Sequence, residues 1–414
     1  MNPLDSRPLC GRNWPESMTE VVEAREAFKR EPHSLPTGWN WSWLDKVFAF
    51  IGGAQPPASE FVGFPAPGFV RFVQIRDYYS KEHFTFVPES SSLRKCSPND
   101  VMIARYGASL GRICRGIKGA YNVALVKTVP KKGVDNNFLF YLLQTEYFQA
   151  SVRGQGARSA QAGFNRDGLR NILLPIPSPH EQGAIAEVLG ALDDKIAGNT
   201  AVIRSLDELA GAIVRSHMSL TEMQSLSEIA AVTMGASPPG VSYNTVGDGV
   251  VFYQGTREFE FRYPRNRMWT TQPLRFASSG DTLVSVRAPV GELNLAGERT
   301  CVGRGLAAVH STRRAPATLF HLLKNADDVW DPFESNGTVF GSINRSQLES
   351  LQLPILVDTD LSALEEVVSG LELQLKCATT ENETLADIRD TLLPQLLSGK
   401  LRVKDAEKQV EAVV

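Results

Sequence analysis

At 414 residues, 43% of them hydrophobic and 21% charged, the chain reads as an ordinary globular sequence, too long for one typical core and suited to two domains. A formal charge of −3 and a pI of about 6.1 exclude a uniformly basic nucleic-acid binder, leaving local patches as the electrostatic route to such a partner. Cys10, Cys96, Cys114, Cys301 and Cys377 form no CxxC pair and the six histidines no metal-ligand spacing, which argues against a disulfide framework, a zinc finger or an HExxH metalloenzyme.

In chain order, residues 1–34 lack a basic stretch followed by an apolar core, so no secretory signal is expected. Within them, Thr19 to Glu31 either forms a helix against the rest of the protein or a partner, or frays. No apolar run approaches the roughly 20 residues of a membrane span, and a cytoplasmic protein without a membrane partner is expected. Val70 to Ile75 alternates as a strand does, and Val101 to Ala104 is a short buried-type run behind the turn-forming Ser97-Pro98-Asn99-Asp100. Phe138 to Phe148 predicts one helix, with Leu319 to Leu323 as a later counterpart. After Pro179 the residues Ile185, Leu189, Leu192, Ile196, Asn199, Ile203, Leu206, Ala210 and Ile213 step alternately by four and three, the spacing of a coiled-coil seam. Leu364, Val368, Leu371, Leu375, Ala378, Asn382, Leu385, Arg389 and Leu392 repeat it, and Pro394 is expected to end or kink that second helix. Two such stripes in one chain can bury each other as an antiparallel pair. Asn199 and Asn382, polar in the seam, either fix its register or face solvent.

The chain also repeats itself. Gly53-Ala54-Gln55-Pro56-Pro57 matches Gly235-Ala236-Ser237-Pro238-Pro239 at an offset of 182 residues. The stretch Asn99-Asp100 to Gly111 matches Gly280-Asp281 to Gly291 at 181, and Arg105 and Arg287 are taken as equivalent candidates in the two copies. Phe164-Asn165-Arg166 to Ile176 matches Ile343-Asn344-Arg345 to Ile355 at 179. Three ordered matches at nearly constant offset indicate tandem domains, each a mixed α/β unit poor in regular βαβ connections.

Segment by segment, the charge is far from even. Arg94 to Lys118 holds six basic residues against Asp100, Arg262 to Arg275 four arginines interleaved with Tyr263 and Trp269, and Arg299 to Arg314 four more without an acid. Asp360 to Leu393 instead carries eight acids. Basic, aromatic-interleaved loops suit phosphate neutralisation and base-edge contact, although such a run is also compatible with a plain solvated face. Catalytic signatures are missing: Gly107-Ala108-Ser109-Leu110-Gly111-Arg112 lacks the lysine and hydroxyl of a phosphate loop, and Ser237-Pro238-Pro239 lacks the asparagine amide of an adenine amino-methylation motif.

Leu174-Pro175-Ile176-Pro177-Ser178-Pro179-His180-Glu181-Gln182 and the helix Ile185 to Ile196 resemble the conserved region of type I restriction–modification specificity subunits. So do Leu35-Pro36-Thr37-Gly38-Trp39, the loop Asn336 to Asn344, and Leu393-Pro394 to Ser398-Gly399-Lys400-Leu401, so the resemblance runs over residues 35 to 402. In copy two, Val357-Asp358-Thr359-Asp360 departs from the pattern where Pro179-His180-Glu181-Gln182 stands in copy one, so the second helix is expected to start differently.

The resemblance implies an α+β fold of two tandem, pseudo-symmetric mixed α/β DNA-recognition domains separated by two long antiparallel coiled-coil helices. Its divisions are an extension at 1–34, recognition domains at 35–178 and 221–356, spacer helices at 179–220 and 357–402, and a tail at 403–414. It implies a non-catalytic subunit that binds bipartite double-stranded DNA and docks two DNA methyltransferase subunits and restriction/translocase subunits. S-adenosylmethionine, and ATP with magnesium for restriction, are expected on those partners, with no cofactor or metal on this chain. The opposing reading is a two-headed coiled-coil scaffold for proteins that reads no bases.

Candidate DNA contacts are Arg105, Tyr106, Arg158, Ser159, Gln161, Asn165 and Arg166 in copy one, and Arg265, Arg267, Trp269, Arg287, Asn336, Thr338, Asn344 and Arg345 in copy two. Asn165 and Asn344 are equally readable as caps of the helices that follow them. Spacer and subunit-docking candidates are Glu181, Gln182, Ile185, Leu189, Leu192, Ile196, Asn199, Ile203, Leu364, Leu371, Leu375, Asn382 and Leu385.

Overall fold

The computed structural model describes residues 35–80, 84–156, 163–164, 172–333, 341–357 and 360–411. The proposed helix Thr19 to Glu31 therefore lies outside the described residues. The chain forms two compact units, one running to Ala197 and resuming at Asn382, the other Gly198–Glu381.

In the first unit, β1 (Asn40–Trp43) pairs antiparallel with β10 (Leu173–Ile176), Asn40 opposite Ile176. The short helix α1 (Leu44–Val47) leads into β2 (Phe48–Gly52). This strand begins an antiparallel sheet completed, in spatial order, by β9 (Leu125–Pro130), β6 (Met102–Ala104) and β7 (Ile113–Cys114). A second sheet runs β4 (Phe86–Pro88), β3 (Phe69–Val73), β8 (Gly119–Tyr121), β5 (Lys95–Cys96), with β3 and β8 parallel.

The helix expected over Phe138 to Phe148 is two helices, α2 (Asn136–Leu142) and α3 (Glu146–Gly156). Thr145 makes the break: its Oγ1 donates to the Leu142 carbonyl at 2.7 Å and accepts from the Phe148 amide at 3.5 Å, closing one helix and capping the next. Asp135 caps α2 through the Phe138 amide at 2.8 Å.

The second unit repeats this plan. β11 (Met218–Ser225) pairs with β21 (Gln352–Leu356) as β1 does with β10. β12 (Ala230–Met234), β20 (Leu306–Ser311), β17 (Thr282–Ser285) and β18 (Leu293–Leu295) form the antiparallel sheet. The other sheet runs β13 (Tyr243–Asn244), β15 (Trp269–Thr270), β14 (Val250–Tyr253), β19 (Thr300–Val302), β16 (Phe276–Ala277), again with one parallel pair, β14 and β19.

Small devices recur too. The Ser97 amide donates to Asp100 Oδ2 at 2.7 Å, and the Ser278 amide to Asp281 Oδ2 at 2.7 Å. A Cβ at Gly53 would lie 2.0 Å from the Asn122 carbonyl oxygen, and one at Gly235 2.1 Å from that of Gly303, so both crossings require glycine. The duplication in sequence is a duplication of architecture.

Each unit contains parts of both long helices, α4 (Pro179–Ser216) and α7 (Leu361–Leu397), while α5 (Pro316–Lys324) and α6 (Arg345–Glu349) belong to the second unit and α8 (Val403–Glu411) to the first. In the first unit Ile185, Leu189 and Leu192 share a core with Leu385, Leu392, Leu396 and the aromatic rings of α2. In the second, Ala210 and Val214 share one with Leu364 and Val368. Each fully buried leucine contributes about 2 kcal/mol of hydrophobic stabilisation. The helices run antiparallel: Glu181 meets Arg402 and Asp193 meets Arg389 in the first unit.

The seam follows the expected positions as far as Ile203, with Ile196 half-buried, then drifts. Asp207 and Val214 are buried, and Leu206 and Ile213 only partly so, because a helix of 3.6 residues per turn rotates away from a 3.5-residue pattern. On α7, Leu364, Val368, Leu375, Leu385 and Leu392 are buried, whereas Leu371, Ala378 and Asn382 are half-buried. Asn199 is buried and donates to Glu381 at 2.8 Å, so it does not face solvent. Pro394 does not end α7, which continues to Leu397; burial of Leu396 and Leu397 outweighs the lost backbone donor. As its altered sequence implied, this helix starts at Leu361, whereas α4 starts at Pro179.

Candidate nucleic-acid interface

Two of the first-copy candidates are described. Arg105 and Tyr106 follow β6, and Tyr106 makes an isolated antiparallel bridge to Gly163, whose missing Cβ leaves room for the ring. Arg105 donates from Nε to the Phe164 carbonyl at 3.0 Å, and its guanidinium lies 5.1 Å from the Tyr106 ring centre. Part of this arginine's donor set thus holds protein backbone, while Tyr106 stays exposed. Arg158, Ser159, Gln161, Asn165 and Arg166 lie outside the described residues.

The same unit holds two more arginine–aromatic pairs that were not among the candidate contacts. Arg112 stacks over Tyr79 at 4.2 Å, the Tyr79 hydroxyl hydrogen-bonds with Ser109 at 3.2 Å, and Arg71 stacks over Phe84 at 4.6 Å. Tyr79 and Phe84 are both exposed. Stacking on a ring holds a guanidinium flat and restricts its orientation.

In the second copy Arg265, Arg267 and Arg287 are exposed, and Trp269 is half-buried on β15 opposite Val251. The Arg265 amide is tied to the Glu258 carbonyl at 2.8 Å. Arg287 makes an isolated bridge to Ser342, and the Val286 amide donates to Gly305 as the Arg105 amide does to Ala124. The structural counterpart of Arg287 is therefore Tyr106, and that of Arg105 is Val286, correcting the alignment made from sequence. The offset of 181 at Asp100 and Asp281 already sets Tyr106 against Arg287, and the two arginines were matched by residue type alone.

Asn344 caps α6, accepting from the Gln347 amide at 3.0 Å while Gln347 Oε1 takes the Asn344 amide at 2.9 Å. Arg345 is exposed and pairs with Glu349 at 2.8 Å. Asn336 and Thr338 lie outside the described residues.

A fourth repeat was missed. Short turns at Ile75–Tyr78 and Thr256–Glu258 follow β3 and β14, and each presents an exposed arginine, Arg76 and Arg257, followed by a buried acid, Asp77 and Glu258. Asp77 accepts from the Gln74 amide at 2.6 Å and Glu258 from the Gly255 amide at 3.4 Å. Burial raises the Asp77 pKa, against the pull of that bond and of Arg71 and Arg76. Arg-Asp against Arg-Glu is too short a match to notice until the strands before it are aligned.

The helix residues nominated for docking have internal duties. Gln182 is fully buried, donating to the Gly133 and Pro177 carbonyls at 3.0 Å each and accepting from the Asp135 amide at 2.8 Å, so no face of it is open to a partner. Glu181 takes the Trp39 indole N–H and an Arg402 N–H, each at 2.9 Å. Gly399, at φ +73°, passes so close to Pro36 that a Cβ would sit 2.2 Å from its ring. The motifs at 35–39, 181–182 and 399–402 thus meet in one place.

Beneath each recognition fold lies a charged contact with the long helices. In the first unit Asp193 pairs with Arg389 at 2.7 Å and accepts from the Tyr141 hydroxyl at 2.7 Å. Burial, then the Asp193 charge, raises the Tyr141 pKa and keeps that proton in place. In the second, Arg262 pairs with Asp207 of α4 and lies 3.3 Å from Glu372 of α7. From α5, Lys324 reaches Asp207 at 2.5 Å and His321 Nε2 reaches Glu372 at 2.8 Å.

Two copies of one mixed α/β fold, the first with half-buried arginines stacked on exposed rings and the second with exposed arginines at 265, 267 and 287, make a duplicated protein. Among the described residues no group of histidines, cysteines and carboxylates could hold a metal, and no helix is long and apolar enough to cross a membrane. Residues 36–208 match the family model described as Type I restriction modification DNA specificity domain. The chain is 28% identical over 300 residues to a candidate type I restriction enzyme MjaX specificity subunit of Methanocaldococcus jannaschii, covering 66% of this chain and 70% of the relative. It is 21% identical over 425 residues to the type I restriction enzyme MjaIX specificity subunit of the same organism, covering 90% and 95%. The crystal structure of the type I restriction–modification S subunit from M. genitalium shares the fold, with a TM-score of 0.59 at 15% identity over 89% of this chain and 97% of that one. The first half of the chain thus carries a match to the type I specificity-domain model, and most of its length is similar to type I specificity subunits.

Proposed function

We propose that this chain is the DNA-specificity subunit of a type I restriction–modification complex, each unit reading one half of a bipartite double-stranded target. The observation that carries the reading is the repetition itself. Both copies present an exposed arginine at the same turn, Arg76 and Arg257, yet differ around it: Arg265, Arg267 and Trp269 in one, Arg112, Tyr79 and Phe84 in the other. Groups repeated in both copies suit what is common to all DNA, the phosphate backbone, and groups that differ suit base edges. A protein-binding scaffold leaves that pairing of shared and divergent cations unexplained.

The chain supplies specificity and no catalytic group. Two methyltransferase subunits dock on it and bring S-adenosylmethionine for adenine methylation; restriction/translocase subunits bring ATP and magnesium. The exposed outer faces of α4 and α7, with Val202, Leu209, Val367 and Leu373, are the surfaces open to such partners, in place of Gln182. Methylome sequencing of cells carrying the cognate methyltransferase, with and without this chain, tests the reading. A bipartite adenine motif that appears only with the chain is expected; an unchanged methylome refutes it.

A further inference from the structure

We propose that Arg262 is a positioning residue that sets base preference in the half-site read by the second unit, by clamping the loop between β14 and β15 onto α4 and α7. The inference rests on the DNA-reading role above. Arg262 lies mid-loop, three residues before Arg265 and five before Arg267, and only 1% of its side chain is exposed. One carboxylate it meets comes from each long helix, Asp207 and Glu372, and its guanidinium lies 4.2 Å over Phe320 of α5. Its own carbonyl accepts from the Leu295 amide at 2.8 Å, and the loop is further held by Glu260 on Asn294 and by Tyr253, whose hydroxyl donates to Asn266 at 2.6 Å.

The charge balance makes Arg262 hard to replace. Asp207 has a second cation in Lys324, whereas the cation set against Glu372 is Arg262 itself. His321 also meets Glu372, but burial lowers its pKa and favours the neutral ring, which donates an N–H without cancelling the charge. Without Arg262 a carboxylate with 7% of its side chain exposed loses its counter-ion. The loop carrying Arg265 and Arg267 loses its one ion pair to the long helices among the described residues, leaving Lys376 of α7 5.4 Å over the Tyr263 ring.

In the first unit Asp193 meets the same requirement differently. Its cation, Arg389, comes from α7 and not from a recognition loop, so helix packing there does not dictate loop position through a buried charge. The two half-sites should therefore respond differently when the helix contact is altered.

The test uses the full chain assembled with its methyltransferase partner, reading the methylated motif by sequencing. Exchange of residues 226–355 with a relative's identifies which half belongs to the second unit. Arg262→Gln is expected to lower base discrimination in that half by roughly tenfold or more, as for the loss of a well-placed base contact, and to leave the other half unchanged. Arg262→Lys should lie between. Because Arg262→Gln can unfold the unit by stranding Glu372, Arg262→Met with Glu372→Gln removes both charges, keeps the fold, and should relax the same half. An unchanged motif in this double variant, or equal relaxation of both halves, overturns the proposal. A wild-type complex with no bipartite motif overturns instead the reading beneath it.

Discussion

Removing Arg389 should destabilise the first unit sharply, because it strands a buried carboxylate. Asp193 has 3% of its side chain exposed and is held by Arg389 at 2.7 Å and by the Tyr141 hydroxyl at 2.7 Å. Deleting one partner of a buried pair costs about 3–5 kcal/mol. The Arg389 side chain is 18% exposed and also reaches Asp390 at 3.0 Å, so the lower end applies, about 3 kcal/mol. Tyr141 already donates its one hydroxyl proton to Asp193 and cannot compensate. For a unit of this size, about 3 kcal/mol lowers Tm by roughly 6–12 °C. Arg389→Met should show that loss in urea or thermal unfolding followed by fluorescence of the buried Trp39, which shares the core with Leu192 and Leu392. Asp193→Asn combined with Arg389→Met leaves no stranded charge and should recover about 2 kcal/mol. A single-variant loss below about 1 kcal/mol, or a cycle additive within about 0.5 kcal/mol, would refute the reasoning.

Acid should weaken the second unit before carboxylates titrate. Burial holds the His321 pKa below its ordinary 6.5, so the folded state binds the proton less tightly than the unfolded chain. Its contribution is fully present above pH 6.5 and is lost as pH falls through the folded pKa. The unfolding midpoint should drop as pH falls below about 6.5, and His321→Gln should flatten that slope; an unaltered slope rules His321 out. If Arg76 and Arg257 hold phosphates, Arg76→Ala and Arg257→Ala should each reduce the slope of log affinity against log salt by about 0.9 and leave base preference intact. Relaxed preference with the slope retained would make them base readers.

Much of the architecture was legible in sequence because it rests on local rules. Gly53 and Gly235 mark crossings with no room for a Cβ, Asn344 carries its own cap, and the four-three spacing of apolar residues announced both long helices. The pattern of apolar residues misled where a local cap cut across it or a distant contact decided the outcome. Thr145 splits a continuous apolar helix pattern, and Leu396 and Leu397 carry α7 past Pro394 because a core receives them. The candidate interface was harder still. Tyr79 and Arg112 are joined only by folding, and the five-residue ionic cluster under the second unit draws on four separate segments. Gln182 looked available for docking because its motif is recognisable, yet its amide is consumed inside the first unit.

The most direct measurement exchanges residues 226–355 for the corresponding segment of a relative with a different target, then sequences the methylome of cells holding the chimera and its methyltransferase. One half of the bipartite motif should change to the donor's and the other should stay as it was. A chimera that assembles and methylates but alters both halves, or neither, would contradict two separately reading units.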